Sequence, residues 1–130
     1  RVTVTGGTDR VFISAQLDQK VKYLVPIGSS DLTVTLQINR YYGIPNNDPV
    51  NPDYIFIFDD TISQKSYTYN GLTGEGYTPT IETVFTSIID RPKPNYYWYI
   101  LELQYTTTGT TIATQDEMFL RSLTAQVVKQ

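Results

Sequence analysis

Two glutamates are the side chains of this 130-residue chain that come nearest to a catalytic pair. Glu82 and Glu102 lie on successive predicted strands, so pairing of those strands would bring their carboxyl groups together. Glycoside hydrolysis needs two carboxyl groups about 5 to 10 Å apart. Glutamate is mostly exposed in folded proteins, however. We therefore interpret both residues as solvated, and keep a small carboxylate hydrolase only as a third hypothesis.

A single loop carries the side chains that could bind a metal ion. The segment Asn46 to Asp53 holds oxygen-bearing residues at Asn46, Asp48, Asn51 and Asp53, and oxygen is the ligand type that Ca²⁺ prefers. The loop lacks the glycine and the bidentate glutamate of a helix-loop-helix calcium site. Asn, Asp and Pro are also what irregular loops ordinarily contain. The prediction is no metal site, so that a chelator leaves the melting temperature unchanged.

The absence of histidine and cysteine excludes several enzyme classes at once. Without them there is no Ser-His or Cys-His nucleophile and no Cys or His zinc site. The glycine-rich segments, Gly6-Gly7 and Gly71 to Gly76, neither open a helix nor carry a phosphate-binding lysine, so they are interpreted as turns. We predict no catalytic residue, no cofactor and no enzymatic activity.

Composition limits the partners. The net charge is −3, and the ten lysines and arginines are scattered from Arg1 to Lys129, which argues against nucleic acid. No apolar run approaches the roughly 20 residues of a membrane span, so no membrane is expected.

The start at Arg1 favours a processed chain or part of a longer one. Abundant Thr, 11 Tyr and only 18% charged residues favour an extracellular or particle-surface location, on a spore, cell or virion.

A two-residue period runs along the chain and predicts strands throughout. The clearest alternation places Leu32, Val34, Leu36 and Ile38 on a buried side, opposite Thr33, Thr35 and Gln37. The segment Tyr54 to Phe58 is apolar at every position, so both of its faces need to be buried. A central strand that is covered on both faces is therefore predicted.

Turn signals separate these strands. Asn70-Gly71 predicts a tight type I′ hairpin with both residues at positive φ. Prolines and Gly43 predict an unpaired loop from Tyr41 to Asp53. The pattern gives eight to ten short strands and no helix beyond a turn. We predict one domain, residues 1–130, with an all-β fold: a two-sheet antiparallel sandwich, jelly-roll-like.

The strand from Tyr96 to Tyr105 is apolar on both faces. One face continues into the core, which leaves Trp98 and Ile100 on the other. Because monomers rarely expose such a strip, either the Tyr41 to Asp53 loop or a neighbouring subunit must cover it, and the subunit is preferred. Exposed Tyr and Trp could instead stack on sugars. The predicted interface residues are Tyr96, Trp98, Ile100, Tyr41 and Tyr42.

The C-terminal third resembles a known family. A strand at Thr83 to Asp90 is followed by Pro92 and Pro94, then by Tyr97 to Leu103 and a closing strand at Arg121 to Val127. This order is similar to the last strands of the compact tumour-necrosis-factor-like jelly-roll heads. Such heads end collagen-like and fibre proteins on bacterial spore surfaces and some virions. The resemblance implies a self-associating trimeric head without enzymatic activity.

The sequence therefore favours a non-enzymatic structural module of a surface assembly, of the fibre, spore-coat or capsid type. It would form a homo-oligomer, with a trimer expected, through its Tyr-rich strand faces. The alternative is a carbohydrate-binding or adhesin module that recognises surface glycans through exposed Tyr and Trp.

Overall fold

Antiparallel β-structure accounts for nearly all of the computed structural model, which describes residues 1–47, 49–50, 53–108 and 112–129. Every strand pair is antiparallel, and no helix occurs in these ranges. The predicted all-β, antiparallel character is therefore confirmed. The strands are β1 (Val2–Val4), β2 (Arg10–Pro45), β3 (Tyr54–Tyr77), β4 (Ile81–Asp90), β5 (Asn95–Thr107) and β6 (Ile112–Val128).

β2 organises the sheet, because β3, β4, β5 and β6 all pair with it and β1 pairs with β5. Along its N-terminal arm, residues 10–25, β6 lies on one side and β4 and then β3 lie on the other, whereas its C-terminal arm, residues 30–45, lies between β3 and β5. A straight strand of 36 residues would be roughly 120 Å long. A domain of this size has a radius of gyration of only about 14 Å. The strand therefore bends, at residues 26–29, where its register with β3 shifts and Gly28 has a φ of 71°.

Both arms of β2 contribute to one hydrophobic core. Ile13 and Leu17 of the N-terminal arm share a cluster of buried side chains with Leu36 and Ile38 of the C-terminal arm. Burial of such side chains stabilises the fold by about 1.5 to 3 kcal/mol each. The other buried members of this cluster are Val2, Val4, Val11, Ala15, Phe85, Tyr97 and Tyr99.

The alternation predicted for the C-terminal arm is confirmed. Leu32, Val34, Leu36 and Ile38 are all 0% exposed. Thr33, Thr35 and Gln37 are partly exposed on the opposite side, where the Thr33 and Thr68 hydroxyls are 3.0 Å apart. A polar outer face thus backs a fully apolar inner one.

The predicted Asn70-Gly71 hairpin is wrong. Both residues lie inside β3, and of the two only Gly71 has a positive φ, 64°. The reason is that β3 follows β2 around its bend: Leu72 pairs with Ser30, and Gly74, also at positive φ, pairs with Val25. The glycines adapt β3 to the bend rather than reverse the chain. The Gly71 N–H donates to the Asp31 carboxylate at 2.8 Å.

Two predictions about the neighbouring segment are also wrong. Tyr41 to Pro45 are not a loop: they end β2 and pair with Tyr54 to Phe58, and the Asn46 N–H donates to the Asp53 carbonyl at 2.7 Å. Tyr54 to Phe58 is an edge segment rather than a central strand. Cross-strand hydrogen bonding across the hairpin overrides the local breakers, since Pro45 sits at the end of its strand where a missing N–H costs little. For the same reason the described strands are fewer and longer than the eight to ten predicted.

Candidate functional site: an aromatic hairpin with two apolar faces

The hairpin formed by residues 41–45 and 54–58 carries half-buried and exposed aromatic side chains that lie beside the exposed Tyr96 and Trp98 of β5, and we call it the aromatic hairpin. Tyr41 pairs with Phe58 on one side and with Trp98 of β5 on the other. Paired residues project to the same side of a sheet. This outer face therefore gathers aromatic residues from β2, β3 and β5.

A glycine lets rings from β3 and β5 meet above β2. The Phe56 and Trp98 rings stack with centroids 4.6 Å apart, and the Tyr54 and Tyr96 rings lie 4.3 Å apart. A Cβ atom built on Gly43 would lie 3.2 Å from the Tyr96 Cβ and 3.3 Å from the rings of Phe56 and Tyr54. Any larger residue would push these rings apart. Ring pairs of this kind contribute about 0.5 to 1.5 kcal/mol beyond area burial.

Arg1 covers part of this aromatic face. Its guanidinium carbon lies 5.0 Å from the Phe56 ring centroid and 5.7 Å from that of Trp98, within cation–π range. It also lies 3.8 Å from the Asp53 carboxylate. Each of the two rings thus contacts the other ring and the Arg1 guanidinium.

The opposite face of the hairpin is apolar as well. Ile44 and Ile55 pair with each other, and Ile57 pairs with Tyr42, so these side chains share the side that continues from the core. The three isoleucines lie beyond the end of the hydrophobic core, and Ile55 remains 53% exposed. The result is an edge hairpin with apolar side chains on both faces. Further along the outer face the pairs are polar, as in Thr35 with Ser66.

The residues predicted for an interface fall in three environments. Tyr41, Tyr96 and Trp98 lie together on the outer face, and the Tyr41 hydroxyl donates to the Glu102 carboxylate. Ile100 is half-buried further along the same strand. Tyr42 projects to the other side, where it packs against the core.

Sequence reasoning missed the β3 contribution to this surface. Phe56, Phe58, Ile55 and Ile57 were assigned to a covered central strand, whereas Ile57 and Phe58 are 40% and 52% exposed. The available signal was the proline-rich stretch before Tyr54, because prolines concentrate near sheet edges.

A buried charge cluster anchors the base of the hairpin. Arg40 Nη1 donates to both carboxylate oxygens of Asp90 at 2.7 and 2.8 Å, and its Nε donates to Asp59 at 2.7 Å. The Tyr99 hydroxyl donates to Asp90 at 2.6 Å. Burial alone would lower the pKa of Arg40, but its bonds to Asp90 and Asp59 raise it overall. The cluster ties β2, β3, β4 and β5 together.

Buried tyrosines predict a loss of stability at alkaline pH. Burial raises the pKa of Tyr69, Tyr97 and Tyr99, and for Tyr99 the bond to Asp90 raises it further. Below about pH 10 these phenols are protonated in both states; above it the unfolded chain releases protons that the folded protein retains. Stability should therefore be level below about pH 10. Above about pH 10, each of these tyrosines should lower the free energy of unfolding by up to about 1.4 kcal/mol per pH unit.

Urea unfolding followed between roughly pH 8 and 12 measures this loss. Tyr99→Phe should flatten the decline, and the exposed Tyr77→Phe serves as the matched control that should leave it unchanged. A free energy of unfolding that stays constant above pH 10 in the native protein would contradict the prediction.

The glutamate pair is not assembled. β4, which carries Glu82, flanks the N-terminal arm of β2, whereas β5, which carries Glu102, flanks the C-terminal arm. Glu82 accepts a hydrogen bond from Gln16 Nε2 at 2.7 Å. The two carboxylates therefore lie in separate surroundings and do not form the facing pair that the hydrolase hypothesis requires.

Neither a metal-binding cluster nor a membrane-spanning helix occurs in the ranges that the structure describes. They contain no group of three or more His, Cys, Asp or Glu side chains placed to hold a metal ion. Of the loop considered for calcium, Asp48, Asn51 and Pro52 lie outside the described residues. No helix long and apolar enough to cross a membrane is found there either.

Comparison with protein-family models, with curated proteins and with solved structures finds no match to this chain.

Proposed function

We propose that this protein is a non-enzymatic structural module of a surface assembly, of the fibre, spore-coat or capsid type, and that it self-associates through the aromatic hairpin. The observation that carries the proposal is an edge hairpin whose two faces both expose large apolar side chains. Monomers rarely leave contiguous apolar surface of this kind uncovered.

The exposed area is large enough for an interface. Six large apolar side chains of this region are between 37% and 53% exposed. Because such side chains measure about 200 Å² each, they expose on the order of 500 Å². Divided between the two faces this is roughly 250 Å² a face, and both faces together supply more than half of the roughly 800 Å² that each partner buries in a standard interface. The six are Ile44, Ile55, Ile57, Phe58, Tyr96 and Trp98.

The two-sided hairpin favours a ring over a two-fold dimer. A partner that lies flat on the outer face would cover Phe58 and Trp98 but leave Ile55 exposed. In a closed ring, each subunit contacts two neighbours through different surfaces. One neighbour can then cover the outer face and the next neighbour the opposite face. A cyclic homo-oligomer, with a trimer as the expected form, satisfies both.

The path of β2 supports the finer fold proposal. β4 and β6 pair only with its N-terminal arm and β5 only with its C-terminal arm, β3 follows both arms through the bend, and the core contains buried side chains from both. We propose that the arms belong to two sheets packed face to face, a jelly-roll-like sandwich similar to tumour-necrosis-factor-like heads. The Thr and Ser pairs on the outer face suit a wet, exposed surface at the outside of a cell or particle.

A glycan-binding module is the second candidate, favoured by the 41% exposed Trp98 and the 37% exposed Tyr96. Sugar stacking needs an open ring face. Phe56 stacks on Trp98, Arg1 lies near both, and Tyr54 lies against Tyr96. These contacts leave fewer open faces for a sugar, so self-association accounts for the surface better.

The mass in solution, measured by light scattering, tests the proposal. The native protein should have three times the 14.8 kDa mass of the chain. Trp98→Lys on the outer face and Ile55→Lys on the opposite face should each give folded monomers or incomplete assemblies, because each would bury an unpaired charge. Ile27→Lys is the matched control: Ile27 is 85% exposed at the bend of β2, away from the hairpin, and its replacement should leave the mass unchanged.

A native protein that is monomeric at every accessible concentration would refute self-association. An oligomer that survives both hairpin substitutions would place the interface elsewhere. Circular dichroism of each variant separates loss of assembly from loss of folding.

A further inference from the structure

A second surface feature lies on the core side of the hairpin base. A cavity of about 510 Å³ opens between Tyr42 and Tyr97 on one side and the β4–β5 connection, residues 91–94, on the other. Arg40, Asp59 and Asn95 complete the part of the lining that matters here. Its volume falls within the roughly 300 to 1,000 Å³ typical of small-molecule sites. It is separate from the outer aromatic face, and its chemistry is different.

The cavity concentrates positive charge that the protein itself does not neutralise. Neither the Arg91 nor the Lys93 side chain has an ion pair, hydrogen bond or ring contact with any described residue. Among the described residues, Arg10 is the one other basic residue whose side chain lacks all three kinds of contact. Two of these three cationic side chains, Arg91 and Lys93, therefore lie at the same cavity.

The local charge balance favours an anion. Arg40 is held between Asp59 and Asp90, so these three groups together carry one negative charge. Arg91 and Lys93 reverse the sign at the cavity, in a chain whose overall net charge is −3. Arg40 also uses only its Nε and Nη1 atoms in its bonds to the two aspartates.

The segment that carries the two cations is held in place. The Arg91 N–H donates to Asp90 Oδ1 at 3.0 Å, and the Tyr97 hydroxyl donates to the Lys93 carbonyl. Pro92, which is buried, and Pro94 fix the backbone φ angles between and after the cations. A preorganised backbone loses less conformational entropy on binding, so that only the two exposed side chains have to be ordered.

We propose that this cavity binds an acidic monosaccharide unit, a sugar of the uronate type. Its carboxylate would lie between Arg91 and Lys93, which donate charge-assisted hydrogen bonds. Its apolar C–H surface would pack on Tyr42, which is only half-buried, since an aromatic ring offers a broad apolar face. The Asn95 side chain can both donate to and accept from sugar hydroxyls. This site adjoins the opposite face of the hairpin, because Tyr42 pairs with Ile57, but its binding chemistry goes beyond self-association and does not depend on it.

Isothermal titration of the native protein with glucuronate tests the proposal, with glucose as the neutral sugar of the same size and sulfate as an anion without a sugar ring. Glucuronate should bind saturably, and glucose and sulfate at least roughly tenfold more weakly, because each lacks one of the two recognised features. The double variant Arg91→Ala, Lys93→Ala should weaken glucuronate binding by roughly tenfold or more. Arg10→Ala, which removes a cation of the same kind elsewhere, should leave it unchanged.

Three outcomes would overturn the proposal: no saturable binding of glucuronate, equal binding of glucose, or equal binding of sulfate. Equal loss in the Arg10→Ala variant would also overturn it, because the effect would then follow overall charge rather than this cavity. Amide NMR shifts of residues 91, 93 and 95 locate the binding, and the dispersion of the whole amide spectrum confirms that each variant is folded. The mass of the native protein in solution is unaffected by any of these results, so this proposal and the self-association proposal fail separately.

Discussion

Replacement of Arg40 by Met is expected to lower the free energy of unfolding by about 3 to 5 kcal/mol, because it leaves a buried carboxylate without its counter-charge. The Asp90 side chain is only 9% exposed and receives two hydrogen bonds from Arg40. The Tyr99 hydroxyl and the Arg91 N–H would remain as its donors, but neither carries charge to it. Methionine fills a similar volume without restoring the charge.

The matched control is Arg121→Met. Arg121 lies 2.7 Å from the Asp18 carboxylate, but its side chain is 58% exposed. Exposed ion pairs contribute about 0 to 1 kcal/mol, so this variant should unfold at almost the native urea concentration. The double variant Arg40→Met, Asp90→Asn should recover much of the loss, since it removes both charges. Equal costs for Arg40→Met and Arg121→Met would show that Arg40 is not an interior anchor.

Leu36→Ala is expected to lower the free energy of unfolding by about 2 to 5 kcal/mol. Leu36 is 0% exposed and lies in the core cluster that contains side chains from both arms of β2. Its truncation removes apolar contacts and leaves a cavity that the two arms can close only in part. The loss should appear as a lower urea midpoint with an unchanged slope, because the native fold is retained.

Leu120→Ala is the control for that variant, since Leu120 is 53% exposed on β6. Exposed substitutions usually change stability by less than about 0.5 kcal/mol. An unchanged midpoint for Leu36→Ala would mean that the register assigned to the C-terminal arm is wrong.

Local periodicity made the core side of β2 predictable. Side chains alternate between the two faces of a strand, so the spacing of Leu32 to Ile38 alone identified the buried side. The lack of histidine and cysteine likewise excluded chemistry without any structure. The exposed aromatic residues Tyr96 and Trp98 were found in the same way, because the opposite face of their strand continued into the core.

Chain reversals were harder to predict, because a turn signal gives local backbone preference but not the position of the partner strand. Asn70-Gly71 has the composition of a hairpin, yet β3 continues through it because β2 bends beside it. Gly43 and Pro45 have the composition of a loop, yet they pair with Phe56 and Tyr54. In each case hydrogen bonds to a neighbouring strand outweigh a preference worth about 1 kcal/mol.

The sequence by itself determined an antiparallel all-β chain, its buried alternation and its lack of imidazole and thiol chemistry, since these depend on residue type and on spacing within one strand. Only the tertiary structure decided that Tyr54 to Phe58 is an edge rather than a central segment, that Tyr42 projects opposite to Tyr41 at the hairpin, and that Arg91 and Lys93 flank one cavity with Arg40. These features depend on which distant strands pair. Pairing is set by the summed contacts of many residues far apart in the chain, which no local pattern records.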